Sequence, residues 1–327
     1  MQSDRAWMAA AAQLAGRARP FAHPNPGVGA LLVSSPETGS RVLGRGWTQP
    51  GGRPHAEAHA FERLASGQAA GSTLYVTLEP CAHKSKRGPP CCDLVAAEQP
   101  ARVVIGQHDP DPRTAGAGIA RLQAAGIEID VLEDQASARS LAGYLTQARD
   151  ARPYVTLKLA KSLDGCIALA DGTSQWLTGE PARAHVHAQR AWHDAILVGG
   201  ATWRQDQPRL DVRLAGLEQR SPKRFVLTSG AVPEGVEAIK APEEIGTLSD
   251  IQYLYIEGGA QTAAGFLKRD LVDELHLYRA PLLIGDGQRS LSGLGLSDLA
   301  SAHDRWQLIE RRMLGSDEFT SYQRLRD

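Results

Sequence analysis

Residues 78–92 read LEPCAHKSKRGPPCC and hold three of the chain's four cysteines, a histidine and a knot of basic residues. The stretch follows STLYVTL (72–78), rich in β-formers. Upstream lies HAEAHAFERLAS (55–66), with apolar residues at helical spacing and Gly67 as its stop. A strand leading into a cysteine loop, with a helix before it, predicts an α/β layered unit. Neighbouring runs extend the pattern. VGALLV (28–33) after the turn-forming PNPG reads as a strand, as do RVVIG (102–106) and IEIDVL (127–132), with the helix-like GIARLQAAG (118–126) between the last two.

At 327 residues the chain exceeds one ordinary core, so two domains are expected. A helix-like stretch (135–149) precedes Arg152-Pro153, where proline disfavours helix continuation, and YVTLKLA then begins a new strand series. This places the domains at 1–150 and 151–327. The second half repeats the α/β grammar in AILVGG, RFVLTS, YLYIEGG and the long ELHLYRAPLLIG, and residues 306–325 read as further strand. Residues 214–222, polar and turn-rich, read as a surface excursion. A net charge of −1 argues against sequence-independent binding to nucleic acid. No apolar run reaches the length of a membrane span. The alanine-rich opening carries Asp4 before its apolar stretch and Gln13 within it, so it reads as an amphipathic helix rather than a signal peptide. The expectation is a cytoplasmic protein with reduced thiols, where clustered cysteines point to metal or catalysis before disulfides.

His55, Cys81 and Cys91 together make one imidazole and two thiolates, a ligand set suited to tetrahedral zinc. Three protein ligands leave a fourth position for water, whose pKa the ion lowers. Glu57, two residues after His55, can reach that water without binding the metal and carry its proton. The order H-x-E, then P-C, then C is the signature of zinc nucleobase deaminases. Nine residues separate Cys81 from Cys91 here, against two in the common form. Plainer readings exist: HAE is common on helices, and Cys91 and Cys92 could be buried small hydrophobes. A nucleotide-sensing or nucleic-acid-binding module with a structural zinc is a further alternative, although such a site has no use for Glu57 and the near-zero net charge does not suit it.

The segments PNPGVGALLV, GGRPHAE and EPCAHKSKRGPPC resemble the deaminase domain of the bifunctional riboflavin biosynthesis deaminase/reductase family. The resemblance implies a cytidine-deaminase-like α/β/α sandwich. It assigns zinc to His55, Cys81 and Cys91, proton transfer to Glu57, and a bystander role to Cys92. His83 and Arg87 would meet the substrate phosphate. Lys84, Lys86 and Arg87 do form a local cationic patch in an otherwise neutral chain. The cysteine loop is one residue longer than the family pattern, and Thr48 stands where the family has histidine.

In the second half, AILVGGATW and YIEGGAQTAAGF each run from strand into a glycine-rich turn, which lets backbone N–H groups approach phosphate. Neither is G-x-G-x-x-G. The stretches RPYVTLKLAKSLDGCIALADGTSQWLTGE, DAILVGGATWRQDQPRLDVR and IEGGAQTAAGFLKRDLVDELHLYRAPLLIGDG resemble the reductase domain of the same family. The resemblance implies a dihydrofolate-reductase-like fold and NADPH as cofactor. Ala160, Trp176, Thr202, Asp206 and Ser229 would line that cofactor, with Gly259 through Gly265 around its phosphates. Ser174, Arg190, Leu210, Arg213 and Glu257 would contact the sugar phosphate, Arg190 and Arg213 as forked oxyanion partners. Trp176 has a plain alternative as a core aromatic.

The implied activity is deamination of a diaminopyrimidinone ribosylamino phosphate, then reduction of its ribosyl group to ribityl, in a homodimer or homotetramer. Cys166 and Gln207 replace a basic residue and an aspartate of the family pattern. They keep open a deaminase of another base or nucleoside, with a weak or inactive reductase domain.

Overall fold

In the computed structural model, which describes residues 3–326, the chain divides after Ala151 into two units. Residues 1, 2 and 327, the ends of the two expected spans, lie outside that description.

The first unit runs α1 (Asp4–Ala15), β1 (Gly29–Val33), β2 (Val42–Trp47), α2 (Ala56–Phe61), β3 (Thr73–Val76), α3 (Cys91–Glu98), β4 (Arg102–Ile105), α4 (Ala117–Ala124), β5 (Glu128–Val131), α5 (Gln135–Ser140) and α6 (Ala142–Asp150). Its sheet order is β2-β1-β3-β4-β5. β1 is antiparallel to both neighbours, while β3, β4 and β5 are parallel. Alternate residues of β1 serve opposite faces. Ala30 and Leu32 join Leu74, Val76, Val103 and Ile105 beneath Ala56, Ala60, Val95 and Leu122 of three helices. Leu31 and Val33 pack instead with Tyr75 and Val104 against Met8 and Ala11 of α1. Helices therefore cover both faces.

Strand β2 escaped the sequence reading because VLGRGW carries two glycines, which weaken a strand pattern. Tertiary packing explains them. A Cβ on Gly46 would penetrate the carbonyl oxygen of Ala56, and one on Gly44 that of Ala60. The backbone of α2 lies directly on β2, and only glycine permits it. Gly46→Ala is therefore expected to cost the first unit about 2–3 kcal/mol through overpacking, read as a lower urea midpoint. The predicted helix 135–149 is two helices, broken at Leu141 (φ −102°, ψ 6°).

The second unit runs β6 (Tyr154–Lys161), β7 (Cys166–Ala168), α7 (Glu180–Arg190), β8 (Ala195–Gly199), α8 (Gly200–Asp206), β9 (Lys223–Leu227), β10 (Glu237–Ile239), β11 (Tyr253–Glu257), α9 (Ala260–Lys268), β12 (Glu274–Arg279), β13 (Gln288–Arg289), β14 (Trp306–Leu314) and β15 (Asp317–Arg324). Eight strands form one sheet in the order β10-β9-β8-β11-β6-β12-β15-β14. The first six are parallel, and β15 and β14 close the edge antiparallel. One face packs Leu157, Leu197, Phe225 and Ile256 with Ala263 and Phe266 of α9. The other packs Ile196, Val198, Tyr255, Tyr278 and Phe319 with Ala182 and Val186 of α7. The long predicted strand ELHLYRAPLLIG stops at Arg279, where Pro281 has no N–H to continue the ladder. Helix α7 went unread because part of its inward face is polar: His185 Nδ1 lies 2.8 Å from the Tyr278 hydroxyl.

Two carboxylates on this sheet make an acid-sensitive fold. Burial pushes Glu257 and Glu274 upward. The Arg190 and Lys158 charges around Glu257, and His276 and Ser321 around Glu274, outweigh it and hold each at about 2, below the ordinary 4.5. Because the folded values are depressed, their stabilisation is full above pH 4.5 and is lost as pH falls from there toward 2. Urea unfolding of the second unit should show a loss of a few kcal/mol, on the order of 1.4 per pKa unit, across that window. No helix among the described residues is long and apolar enough to cross a membrane.

Candidate active sites

His55 is the N-cap of α2, reached from the end of β2 through the turn at Pro50–Gly52. Cys81 lies in the loop after β3, and Cys91 opens α3. His55 Nδ1 lies 3.6 Å from Cys81 Sγ and 3.3 Å from Cys91 Sγ. The three ligand atoms fall within 4.8 Å of one another, the only such group of three found among the described residues. The Cys91 amide donates to Cys81 Sγ at 3.3 Å, which draws the two ends of the loop together. One nitrogen and two sulfurs at this spacing fit a tetrahedral zinc ion.

The thiols are electrostatically unequal. The hydrogen bond from Cys91, helped by His55, lowers Cys81 to about 4 against its burial. The same bond, together with burial, pushes Cys91 well up. The pair thus shares one proton, which a divalent cation would displace. Glu57 is 3% exposed, and burial raises its carboxyl pKa, opposed in part by His55. It is not among the three ligating residues and lies in the first turn of the same helix, two positions after His55.

Two residues that sequence reasoning missed position this group. The Asn25 side-chain nitrogen lies 3.1 Å from His55 Nε2 and donates to the Gly52 carbonyl at 3.0 Å, so the imidazole is held with Nδ1 toward the sulfurs. Glu79 is fully buried and accepts from the backbone N–H groups of Asp109, Gly116 and Ile119 at 3.2–3.4 Å. It ties the segment before Pro80-Cys81 to residues 109–119. No local pattern signals either contact, since the partners lie far apart in the chain.

His83 is half-buried, with Nδ1 3.5 Å from the Thr114 hydroxyl. Arg87 is exposed and donates to the Gly51 carbonyl at 2.5 Å, which lays the basic loop against the segment preceding α2. Cys92 points elsewhere. It is buried in the helix-covered core, receives a hydrogen bond from Arg121 at 3.4 Å, and its thiol is pushed up to about 11 by burial.

The second unit holds a cavity of about 1350 Å³ along the C-terminal ends of its parallel strands. Ala160, Ser174, Trp176, Arg190, Thr202, Asp206, Leu210, Arg213, Ser229, Glu257 and Gly259 all line it. Gly265 does not. It lies late in α9, where a Cβ would face Pro242 at 3.6 Å, and only the first turn of that helix borders the cavity. Trp176 is 65% exposed at the cavity wall, with the Arg183 guanidinium 5.0 Å from its ring centre, so it is no core aromatic. Arg190 also departs from expectation. Its fork grips Glu257 at 2.6 and 3.1 Å and its remaining arm the Asp211 carbonyl at 2.8 Å, so it is not the free oxyanion fork that its residue type suggested. Arg213 is half-exposed and looser, 3.6 Å from Asp211.

Lys158 is a further residue that the sequence reading passed over. Its Nζ lies 3.9 Å from Glu257, and burial lowers its pKa while Glu257 opposes the shift. Its signal was a lysine inside an otherwise buried strand. Cys166 is fully buried and outside the cavity lining, whereas Gln207 lines it.

The family described as "Cytidine and deoxycytidylate deaminase zinc-binding region" matches residues 1–107, and "RibD C-terminal domain" matches residues 153–317. Riboflavin biosynthesis protein RibD of Escherichia coli (strain K12) is 38% identical, over 96% of this chain and 97% of that protein. The chain belongs to the RibD family. The RibD of Mycobacterium tuberculosis is 36% identical over 90% of each chain. Among solved structures, Acinetobacter baumannii RibD matches at TM-score 0.85 and 32% identity over 99% of both chains. A diaminohydroxyphosphoribosylaminopyrimidine deaminase/5-amino-6-(5-phosphoribosylamino)uracil reductase from Thermotoga maritima matches at TM-score 0.84 and 29% identity, over 98% of this chain and 99% of that one. These whole-length RibD matches bear out the fold class expected for both halves.

Proposed function

We propose that this RibD-family chain is a bifunctional enzyme of riboflavin biosynthesis. Residues 1–150 would deaminate a diaminopyrimidinone ribosylamino phosphate, and residues 151–327 would reduce its ribosyl group to ribityl. The observation that carries the reading is the convergence of His55, Cys81 and Cys91 beside the buried carboxyl of Glu57. The cofactors are zinc in the first unit and NADPH in the second.

Zinc, when bound, supplies an activated water in the first site. His55, Cys81 and Cys91 hold the ion, and Asn25 keeps the imidazole oriented. Glu57, its pKa raised by burial, would take one proton from that water and give it to a ring nitrogen as the hydroxyl adds to the ring carbon. It would then move the hydroxyl's own proton to the departing amine, which leaves as ammonia. His83 and Arg87, with the charges of Lys84 and Lys86, receive the substrate phosphate.

NADPH supplies hydride in the second site. The chain's task there is placement. Ala160, Trp176, Thr202, Asp206 and Ser229 hold the cofactor, with Gly259 and the first turn of α9 at its phosphates. Ser174, Leu210, Arg213 and Glu257 face the sugar phosphate. Arg190 fixes the Glu257 carboxylate, and Lys158 offers an ammonium beside it.

The substrate is a small pyrimidine, and its phosphate is supported by the basic loop of residues 84–87. Four free cysteines, three of them at or beside the zinc cluster, support a reducing, cytoplasmic location. A homodimer or homotetramer completes the proposal. The rival reading, a deaminase of another base with a weak reductase unit, draws on Gln207. The intact Lys158–Glu257–Arg190 group weighs against it.

Supplying the diaminopyrimidinone phosphate with and without NADPH, and weighing the products by mass spectrometry, tests the proposal. Ammonia and the uracil product are expected without NADPH, and the ribityl product with it. Deamination alone under both conditions would favour the rival; unchanged substrate would sink both. Asp206→Ala should impair reduction and spare ammonia release.

A further inference from the structure

The cavity of the second unit has two chemically distinct ends. Lys158, Glu257 and Arg190 gather at the β6–β11 end. From β6 the sheet steps through β11 and β8 to β9, three strand spacings or about 14 Å, the reach of an extended dinucleotide. With the reacting ring at the first end, the adenosine of a cofactor lying along these strand ends reaches the tip of β9.

At that tip two donors converge. A Cβ built on Gly200 would lie 3.0 Å from Thr228 Oγ1 and 3.3 Å from Arg204 Nη1, and the absence of one leaves the space between them open. The Thr228 hydroxyl oxygen accepts from the Gly230 amide at 3.1 Å, so its proton is free to point outward. Ser229 lines the same end.

The other arginines along the cavity have partners. Arg190 holds Glu257, Arg209 and Arg213 turn to Asp211, Arg183 donates to the Thr178 carbonyl, and Arg289 to that of Asp164. Among the described residues, Arg204 alone of the lining arginines has no ion pair or hydrogen bond. Asp206, two positions along α8, does not share its side of the helix. An unpaired guanidinium with the Thr228 hydroxyl close by, and Ser229 on the same cavity wall, is a receptor for a phosphate monoester.

We propose that Arg204, assisted by Thr228 and Ser229, reads the 2′-phosphate on the cofactor's adenosine ribose and so selects NADPH over NADH. The inference rests on the reading of this cavity as the cofactor site.

Calorimetric titration of the full chain with adenosine 2′,5′-bisphosphate and with AMP tests it. The intact protein should bind the bisphosphate at least about tenfold more tightly, the worth of a charge-assisted contact. Arg204→Ala should bring the two affinities to within about threefold of each other while leaving AMP binding unchanged, and Arg204→Lys should keep part of the preference. Arg209→Ala, as a control on an exposed arginine of the same cavity, should keep all of it. The ratio of kcat/KM for NADPH over NADH should fall in parallel. An Arg204→Ala protein that still prefers the bisphosphate would overturn the assignment. Equal binding of both probes by the intact protein would do the same and leave the cavity reading standing; binding of neither would remove both.

Discussion

Glu57→Gln is expected to lower ammonia release by a factor of about a hundred to ten thousand, the range for loss of a general acid–base, while zinc stays bound. The substitution keeps shape and volume but leaves an amide that cannot carry a proton. Glu57 stands outside the His55–Cys81–Cys91 group, so its loss should not open the metal site. Burial already biases the carboxyl toward its protonated form, which suits a group that takes a proton and hands it on. Metal analysis and ammonia assay on the same preparation separate the two effects. Reduction of the deaminated product, supplied directly, should proceed normally. A variant with full zinc and full turnover would show that Glu57 is not the shuttle.

Cys81→Ser should give the opposite pattern, with zinc and ammonia release lost together. A serine hydroxyl does not ionise near neutrality, so the site would lose both a soft ligand and a negative charge. Cys91 would also lose the partner with which it shares a proton, and its backbone amide would lose the sulfur it donates to. The first unit should melt at a lower temperature as well, because an ion that binds only the folded state stabilises it. Tight zinc in this variant would remove Cys81 from the ligand set. Taken together, the two variants distinguish a metal site that performs chemistry from one that only braces the fold.

Much of the fold was legible because its signals are local. Apolar runs such as VGALLV and AILVGG need only a few consecutive residues to announce a buried strand, and the structure places β1 and β8 within them. The histidine and cysteines were legible for a different reason: few residue types bind zinc, and they occurred in a distinctive order. The misses have a common cause. VLGRGW conceals β2 because its glycines answer to the backbone of α2, which the strand itself does not encode. EPARAHVHAQR conceals α7 because part of its inward face is polar, with His185 turned to the Tyr278 hydroxyl.

The chain's residue order by itself determined the alternation of strands and helices, the place where one series of strands ends and another begins, and the histidine and cysteines that the fold gathers into a group able to hold a metal ion. These depend on periodicity and on the intrinsic chemistry of each residue. Only the tertiary structure decided which groups pair: that Asn25 holds His55, that Glu79 anchors the cysteine loop, that Arg190 is engaged by Glu257, and that Arg204, among the described residues, is left without an ion pair. Ion pairs and hydrogen bonds form between whichever groups folding brings within about 3 Å. For partners up to 67 positions apart, that meeting is a property of the packed sheet and not of any segment read alone.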